Sequence, residues 1–254
     1  MFDLRLYDSV GSTSDVARQL AQAGAPHGTV VSAREQTAGR GRVGRAWVSP
    51  PGNLYLSVLL RLNLPLARHS ELSFVAALAV AEMVEAFLPP GVKATLKWPN
   101  DVLVGGAKIS GILIEQAESA TILGIGVNVA HCPAGTPYPA TSLEHVQESL
   151  GTLSPQPSPA SGAERISVQA CRTTLLAFLA ARLALWLDAG FAPIRADWLA
   201  RAHPLGTPLC VGRTEGAFAG LDVDGALLLD TDNGRRRIVA GDAVPLTGGT
   251  GRVG

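Results

Sequence analysis

The chain has 254 residues, 47% of them apolar, and a formal charge of zero from 21 basic and 21 acidic side chains. At about 150 residues per domain this length allows one or two domains. The charge balance excludes a chain whose main partner is a nucleic-acid backbone, which calls for a clustered basic excess, and the apolar content excludes disorder.

The amino terminus, MFDLRLYDSV, is charged from its third residue and lacks the apolar run of a signal peptide. Ser12-Thr13-Ser14-Asp15 is a helix amino-terminal signature. Val30 to Ala33 can supply a strand ahead of QTAGRGRVGRAW, Gln36 to Trp47. Asn53 to Leu62 alternates around Leu54, Leu56, Val58, Leu60 and Leu62 and reads as a strand with a buried face. Pro65 and Ser70 lead into one long helix ending at Leu88, stopped by Pro89, Pro90 and Gly91. Three β-type runs follow, Ala94 to Trp98, Lys108 to Gln116 and Thr121 to Val129, the second entered through Gly105-Gly106.

From His131 to Gly162 the chain turns rich in Pro, Ser, Gly and Thr and reads as a surface excursion, with at most a turn near Leu143 to Leu150. Two amphipathic helices are predicted over Glu164 to Ala189 and Pro193 to Ala202. After Pro204, short apolar runs broken by Asp224-Gly225 and Asn233-Gly234 predict a small all-β module reaching Leu246. The longest apolar stretches are interrupted by Glu82, Glu85 and Arg182, so neither reads as a membrane span. Cys132, Cys171 and Cys210 include no CxxC pair, which excludes a zinc ribbon or disulfide scaffold. A cytoplasmic setting follows as the expectation.

Four stretches could carry chemistry. Gly39, Gly41 and Gly44 satisfy GxGxxG, but Pro50, Pro51 and Gly52 arrive where a dinucleotide site needs a helix, so that reading fails. The interleaved Arg40, Arg42 and Arg45 suit a loop that wraps a polyanion; a solvated basic loop is the alternative. The basic residues are 18 Arg and three Lys, and Lys93, Lys97 and Lys108 fall within sixteen positions. Lys108 opens a buried strand, where its ammonium calls for a ligand carboxylate or phosphate; a surface strand start is the alternative. Gly111 inside that strand marks a close approach or a bulge. In GIGVN, Asn128 offers an amide that can read a base edge or cap a turn. Ser12 to Ser14 read by themselves only as a cap. No GxxxxGK[ST], GxSxG, HExxH or kinase set is present, and no catalytic triad can be drawn from the five histidines.

In order, the Ser-Thr pair, QxxGRGRxGRxW, SPPGNLYLSVLLR, KWPNDV, KISGILIE and GIGVNV resemble the biotin protein ligase family, densely from Ser9 to about Ala130 and loosely beyond. The resemblance implies an α/β (α+β) catalytic domain related to class II aminoacyl-tRNA synthetases over residues 1–203 and an SH3-like small β-barrel over 204–254. It implies a biotin-[acetyl-CoA-carboxylase] ligase that makes biotinyl-5'-AMP from biotin and ATP. The biotinyl group then passes to one lysine of a biotin carboxyl carrier protein domain, of acetyl-CoA carboxylase or a related carboxylase.

By motif, Ser12, Thr13 and Ser14 match positions that bond the biotin rings. Gln36, Gly39, Arg40, Gly41 and Arg42 match the loop closing over biotin and adenylate. Lys108 matches the lysine set against the reacting carboxylate and phosphate, and Gly111 a glycine of the biotin wall. Arg45, Trp47 and Asn128 match nucleotide-side positions, with Arg40 and Arg42 shared between the two ligands. Catalysis is then expected from the cations Arg40, Arg42 and Lys108, and Asp101 is the nearest carboxylate for the Mg2+ expected with ATP. Ser14 departs from the family's usual Asn. The stretch before Ser12 is too short for the helix-turn-helix of bifunctional members, so no DNA partner is expected, nor a membrane. A lipoate or octanoate ligase and a biotin-binding regulator without catalysis are the competing readings.

Overall fold

The structure, a computed structural model, describes residues 2–117, 120–136, 138–152 and 166–246. A seven-stranded mixed sheet is built from β1 (Asp3–Val10), β2 (Thr29–Gln36), β3 (Leu54–Leu60), β4 (Ala94–Lys97), β5 (Asp101–Val104), β6 (Ala107–Ala117) and β7 (Ala120–Val127). Its order is β1-β2-β3-β7-β6-β5-β4; only β1 and β2 run parallel, joined through α1 (Thr13–Gln22). Every residue of β3 is buried, as expected of a central strand flanked on both sides.

α2 (Leu72–Ala86) buries 12 of its 15 residues, the pattern of a helix enclosed on all sides. It lies under the sheet, and α4 (Val168–Ala189) and α5 (Phe191–Leu199) pack against it. α4 is long and apolar enough to cross a membrane. Here it turns Cys171, Leu175, Leu179 and Leu183, a stripe spaced four apart, into the domain core. Arg182 in its middle pairs with Glu82 of α2 and Asp197 of α5. Burial pushes the Cys171 thiol up to about 12, which fits an inert packing residue.

The carboxy-terminal strands β8 (Pro208–Val211), β9 (Thr214–Leu221), β10 (Leu227–Thr231), β11 (Gly234–Ile238) and β12 (Ala243–Pro245) form an antiparallel sheet in the order β11-β10-β9-β8-β12. Asp224-Gly225 and Asn233-Gly234 turn its two predicted hairpins. The apolar core continues from the large sheet into this one through Phe74, Trp98, Phe218 and Leu227. Trp98 Nε1 donates to Gly225 O at 3.0 Å, and Lys97 Nζ to Ala243 O at 3.3 Å.

The structure adds β1 and β5 to the predicted elements. β1 is an edge strand with mostly exposed residues, so it lacks a clear apolar face; β5 is four residues long and sits between two turns, where KWPND reads as turn alone. The predicted turn near Leu143 is a two-turn helix, α3 (Leu143–Ser149), capped by Ser142. The second amphipathic helix starts at Phe191, which places Pro193 in its first turn, where a missing N–H costs nothing. The predicted helix start at Glu164 and the end of the Pro-rich segment, 153–162, lie outside the described residues.

The described residues from His131 to Pro139 are mostly exposed, as a surface excursion should be, but the chain beyond them is not. Lys108 N donates to Pro139 O and Thr141 N to Lys108 O, a bridge that lays residues 139–141 along the start of β6. Thr141, Ser142, Leu143 and Glu144 are buried as a result.

Candidate active site

Five pieces of chain converge on one cavity of about 370 Å³: the start of α1, the Gln36–Val48 loop, the turn into β5, the paired strands β6 and β7, and Pro133, Thr136, Tyr138 and Ala140 from the stretch after β7. Its volume lies in the range of small-molecule sites.

At one end is an array of hydroxyls and an amide. Ser12 caps α1 by accepting from Ser14 N, which holds Thr13 and Ser14 inward and buried. Gln36 Oε1 accepts from Thr13 N at 2.8 Å and from Thr13 Oγ1 at 3.1 Å. Ser57 Oγ meets Thr13 Oγ1 at 2.8 Å and Ser14 Oγ at 3.1 Å. Ser57 is a polar residue that the motifs pass over; the signal for it is a lone serine in LYLSVLL, an otherwise apolar buried strand.

The floor is glycine. Gly111 of β6 and Gly126 of β7 sit directly opposite each other, and the Trp47 indole lies on both. A Cβ on Gly126 would come within 2.6 Å of Trp47 Nε1, and one on Gly111 within 3.1 Å of its Cζ3. The close approach read from Gly111 is therefore made by the chain's own tryptophan. Gly124, next along β7, leaves room for Ser14 Oγ.

At the other end stand the cations. Lys108 Nζ lies 2.6 Å from Asp101 Oδ1, at an angle outside hydrogen bonding, and Lys97 Nζ is 3.1 Å from Asp101 Oδ2. The anion that Lys108 requires is thus supplied internally, while its side chain still lines the cavity. Lys97 is nearly buried and its ammonium also faces the Tyr138 ring at 5.2 Å. Arg42 Nη1 donates to Asn100 Oδ1 at 3.1 Å, Gly241 O at 3.2 Å and Asp242 Oδ1 at 3.0 Å; Arg45 Nη2 reaches Asp242 Oδ2 at 2.5 Å. Arg40 turns the other way and binds Asp15 in a bidentate pair at 2.6 and 2.7 Å.

The cavity brings together Ser12, Thr13, Ser14, Gln36, Arg40, Gly41, Arg42, Arg45, Trp47, Asp101, Lys108, Gly111 and Asn128. Gly39 is the exception and does not line it. A Cβ there would strike Trp47 O, and Ser49 Oγ at 2.6 Å, so this glycine lets the loop close into a hairpin. Asn128 acts as the turn cap: Nδ2 donates to Thr141 O at 2.9 Å, and its backbone O receives Leu143 N. Asp101 does not fit the Mg2+ role expected for it. Both of its oxygens face lysine ammoniums, and among the described residues no group of three His, Cys, Asp or Glu could hold a metal ion. Asn100, Tyr138 and Asp242 also belong to this end, beyond the residues matched by motif; Asp242 lies 200 positions from Arg42, too far for any sequence pattern.

Residues 6–130 match the model of the Biotin/lipoate A/B protein ligase family, and 212–244 that of the Biotin protein ligase C terminal domain. A Biotin--[acetyl-CoA-carboxylase] ligase of Paracoccus denitrificans is 41% identical over 229 residues, 84% of this chain and 88% of the relative. The chain belongs to the biotin protein ligase family. The fold agrees along the whole length of this ligase: a biotin protein ligase from Aquifex aeolicus, solved with biotin and ATP, superposes with a TM-score of 0.78 at 27% identity, covering 96% of this chain and 98% of that one. A biotin protein ligase from Leishmania major, solved with biotinyl-5-AMP, gives 0.66 at 26%, covering 94% and 99%.

Proposed function

We propose that this cavity joins biotin to ATP and then hands the biotinyl group to a carrier lysine. The observation that carries the assignment is the cavity's polarity: a buried hydroxyl and amide array at one end, a glycine floor between, and Lys108 with Arg42 and Arg45 at the other. Ser12, Thr13, Ser14 and Gln36, backed by Ser57, offer the paired donors and acceptors that a cyclic urea needs. The valeryl chain then lies over the Trp47 indole that covers Gly111 and Gly126, and its carboxylate reaches Lys108.

In the first half-reaction a carboxylate oxygen forms a bond to the α-phosphorus of ATP and the bond to the β-phosphate oxygen breaks, releasing pyrophosphate. Two anions must meet, so fixed cations lower their repulsion and stabilise the charge that builds on phosphorus. In this reading Lys108 serves the carboxylate and α-phosphate, and Arg42 and Arg45 serve the remaining phosphates. In the second half-reaction the carrier lysine's amine attacks the anhydride carbonyl and AMP leaves. Closure of the loop over the anhydride keeps water from it. Mg2+ accompanying ATP would be held chiefly by the phosphates, since among the described residues no cluster of three or more His, Cys, Asp or Glu could enclose a metal ion.

We assign residues 1–203 to catalysis, 204–254 to the appended barrel, the acceptor to a biotin carboxyl carrier protein domain, and the setting to the cytoplasm. The test is exchange of labelled pyrophosphate into ATP with biotin or lipoate as the acid. Biotin-dependent exchange is expected; exchange with lipoate alone, or with neither acid, overturns the assignment.

A further inference from the structure

Four charged side chains close a ring beside the hydroxyl array. Arg40 Nη1 and Nη2 donate to the two oxygens of Asp15 at 2.6 and 2.7 Å, and Nη2 lies 3.5 Å from Glu115. Arg18 completes the ring, donating to Asp15 Oδ1 at 2.6 Å and Glu115 Oε1 at 3.0 Å. The two guanidiniums and two carboxylates sum to zero charge. The side chains are 23 to 41% exposed, so water screens the ring only in part.

The ring joins three parts of the site. Asp15 directly follows Ser14 in α1, Glu115 stands on β6 four residues past Gly111, and Arg40 is in the loop. The loop is a hairpin closed by Trp47 N to Gly39 O at 2.9 Å and Gly41 N to Arg45 O at 2.6 Å, so holding Arg40 holds its whole tip. Both of Arg40's terminal nitrogens are spent on carboxylates, which leaves this guanidinium little to offer a phosphate.

We propose that Asp15 and Glu115 are positioning residues that seat the biotin loop by gripping Arg40, so that Arg40 works as the loop's anchor and not as a catalytic cation. This rests on the ligase reading above. Because the grip is on the α1 side of the loop, its loss falls on biotin retention. ATP is served by Arg42, Arg45 and Lys108, whose own partners stay in place.

The experiment uses the full chain as wild type, Asp15→Asn, Asp15→Glu and Glu115→Gln. Each is digested with trypsin, which cuts after Arg40, Arg42 and Arg45, with and without biotin, and each is assayed for biotin-dependent pyrophosphate exchange. A bidentate charged pair of this kind supports a change of about tenfold. Asp15→Asn is expected to raise the KM for biotin about tenfold and to speed cleavage of the loop without biotin by a similar factor. Its kcat and its KM for ATP should stay within about twofold of wild type, and Asp15→Glu should restore both readouts.

Unchanged loop cleavage and unchanged KM for biotin in Asp15→Asn would overturn the proposal, as would a fall in kcat with the KM for biotin unaltered. Should Asp15→Asn melt early, Glu115→Gln, which removes the longer contact, must show the same pattern at smaller amplitude, and its matching wild type would equally overturn the proposal. Wild-type protein without biotin-dependent exchange, but with the cleavage difference intact, would remove the ligase reading and leave the anchor standing.

Discussion

Lys108 Nζ sits 2.6 Å from Asp101 Oδ1 across the β5–β6 pairing, so the lysine assigned to the reaction is held by a carboxylate that a second lysine, Lys97, grips from its other oxygen. This arrangement predicts a clean phenotype. In Lys108→Met, Asp101 keeps Lys97 as its counter-ion, so the fold should survive. Adenylate formation should fall on the order of 100-fold or more, the cost of losing one preorganised charge in comparable sites. Pyrophosphate exchange and thermal unfolding measured on the same samples check both halves. Undiminished exchange would take Lys108 out of the site.

Gly126 makes a second, steric prediction. An added methyl would stand 2.6 Å from Trp47 Nε1 and 2.7 Å from Cε2, closer than real Cβ atoms come to ring atoms. The indole must leave the floor, and overpacking of this kind costs about 1–3 kcal/mol. Gly126→Ala should therefore weaken biotin binding about tenfold or more. Gly124→Ala meets the Ser14 hydroxyl at 3.1 Å, which has to give by only a few tenths of an ångström, and Leu113 O at an ordinary 3.4 Å; its effect should be several times smaller. Titration calorimetry with biotin separates the two.

The sequence carried the residue types of this site further than their arrangement. Arg40, Arg42 and Lys108 were legible because guanidiniums interleaved with glycine suit a polyanion and a lysine opening an apolar strand calls for an anion. Their partners were not. Asp242 meets Arg42 only when β12 is laid against the Trp98 turn, and Asp15 meets Arg40 only when α1 and the loop face each other. Charge patterning along the chain does not register such distant pairs. β1 was hidden for another reason, since Leu4 and Leu6 are exposed at the sheet edge and no buried apolar face marks it, and so was the wall formed by Pro133, Thr136, Tyr138 and Ala140, whose composition reads as loop. Local chemistry marks Ser12 only as a helix cap, and it is the family resemblance that points to a ligand there; that the cap aims Thr13 and Ser14 into a cavity depends on Ser57 and Gln36.

Asp242 gives a third prediction. It is shared by Arg42, which keeps Asn100 and Gly241 O as acceptors, and by Arg45, which keeps only the Arg42 carbonyl at 3.3 Å. The loss in Asp242→Asn should thus fall mainly on Arg45, more than half exposed, and be about 1 kcal/mol or less at low salt. Raising the salt to 0.5 M or so should narrow the difference from wild type, because exposed ion pairs are screened over a few ångströms at that strength. Thermal unfolding at two salt concentrations tests this; a salt-independent difference would mean that the contact acts through packing.

His203 gives the last. It lies half-buried at the junction with the carboxy-terminal strands, its Nε2 shielded from solvent without a hydrogen-bond partner. Burial, reinforced by the nearby Lys97 charge, holds its pKa below the ordinary histidine value. The unfolded chain therefore takes up this proton first as pH falls, near 6.5 or so, while the folded chain still refuses it. The unfolded state binds more protons in that window, so stability falls with pH from about 6.5 down through the folded-state pKa, below which the loss is complete. His203→Leu removes the titration together with an unpaired buried nitrogen, and should be at least as stable as wild type at pH 6. Urea unfolding at pH 7, 6 and 5 should show a shallower decline for the variant. Parallel declines would mean that the acid sensitivity of this region comes from carboxylates and not from His203.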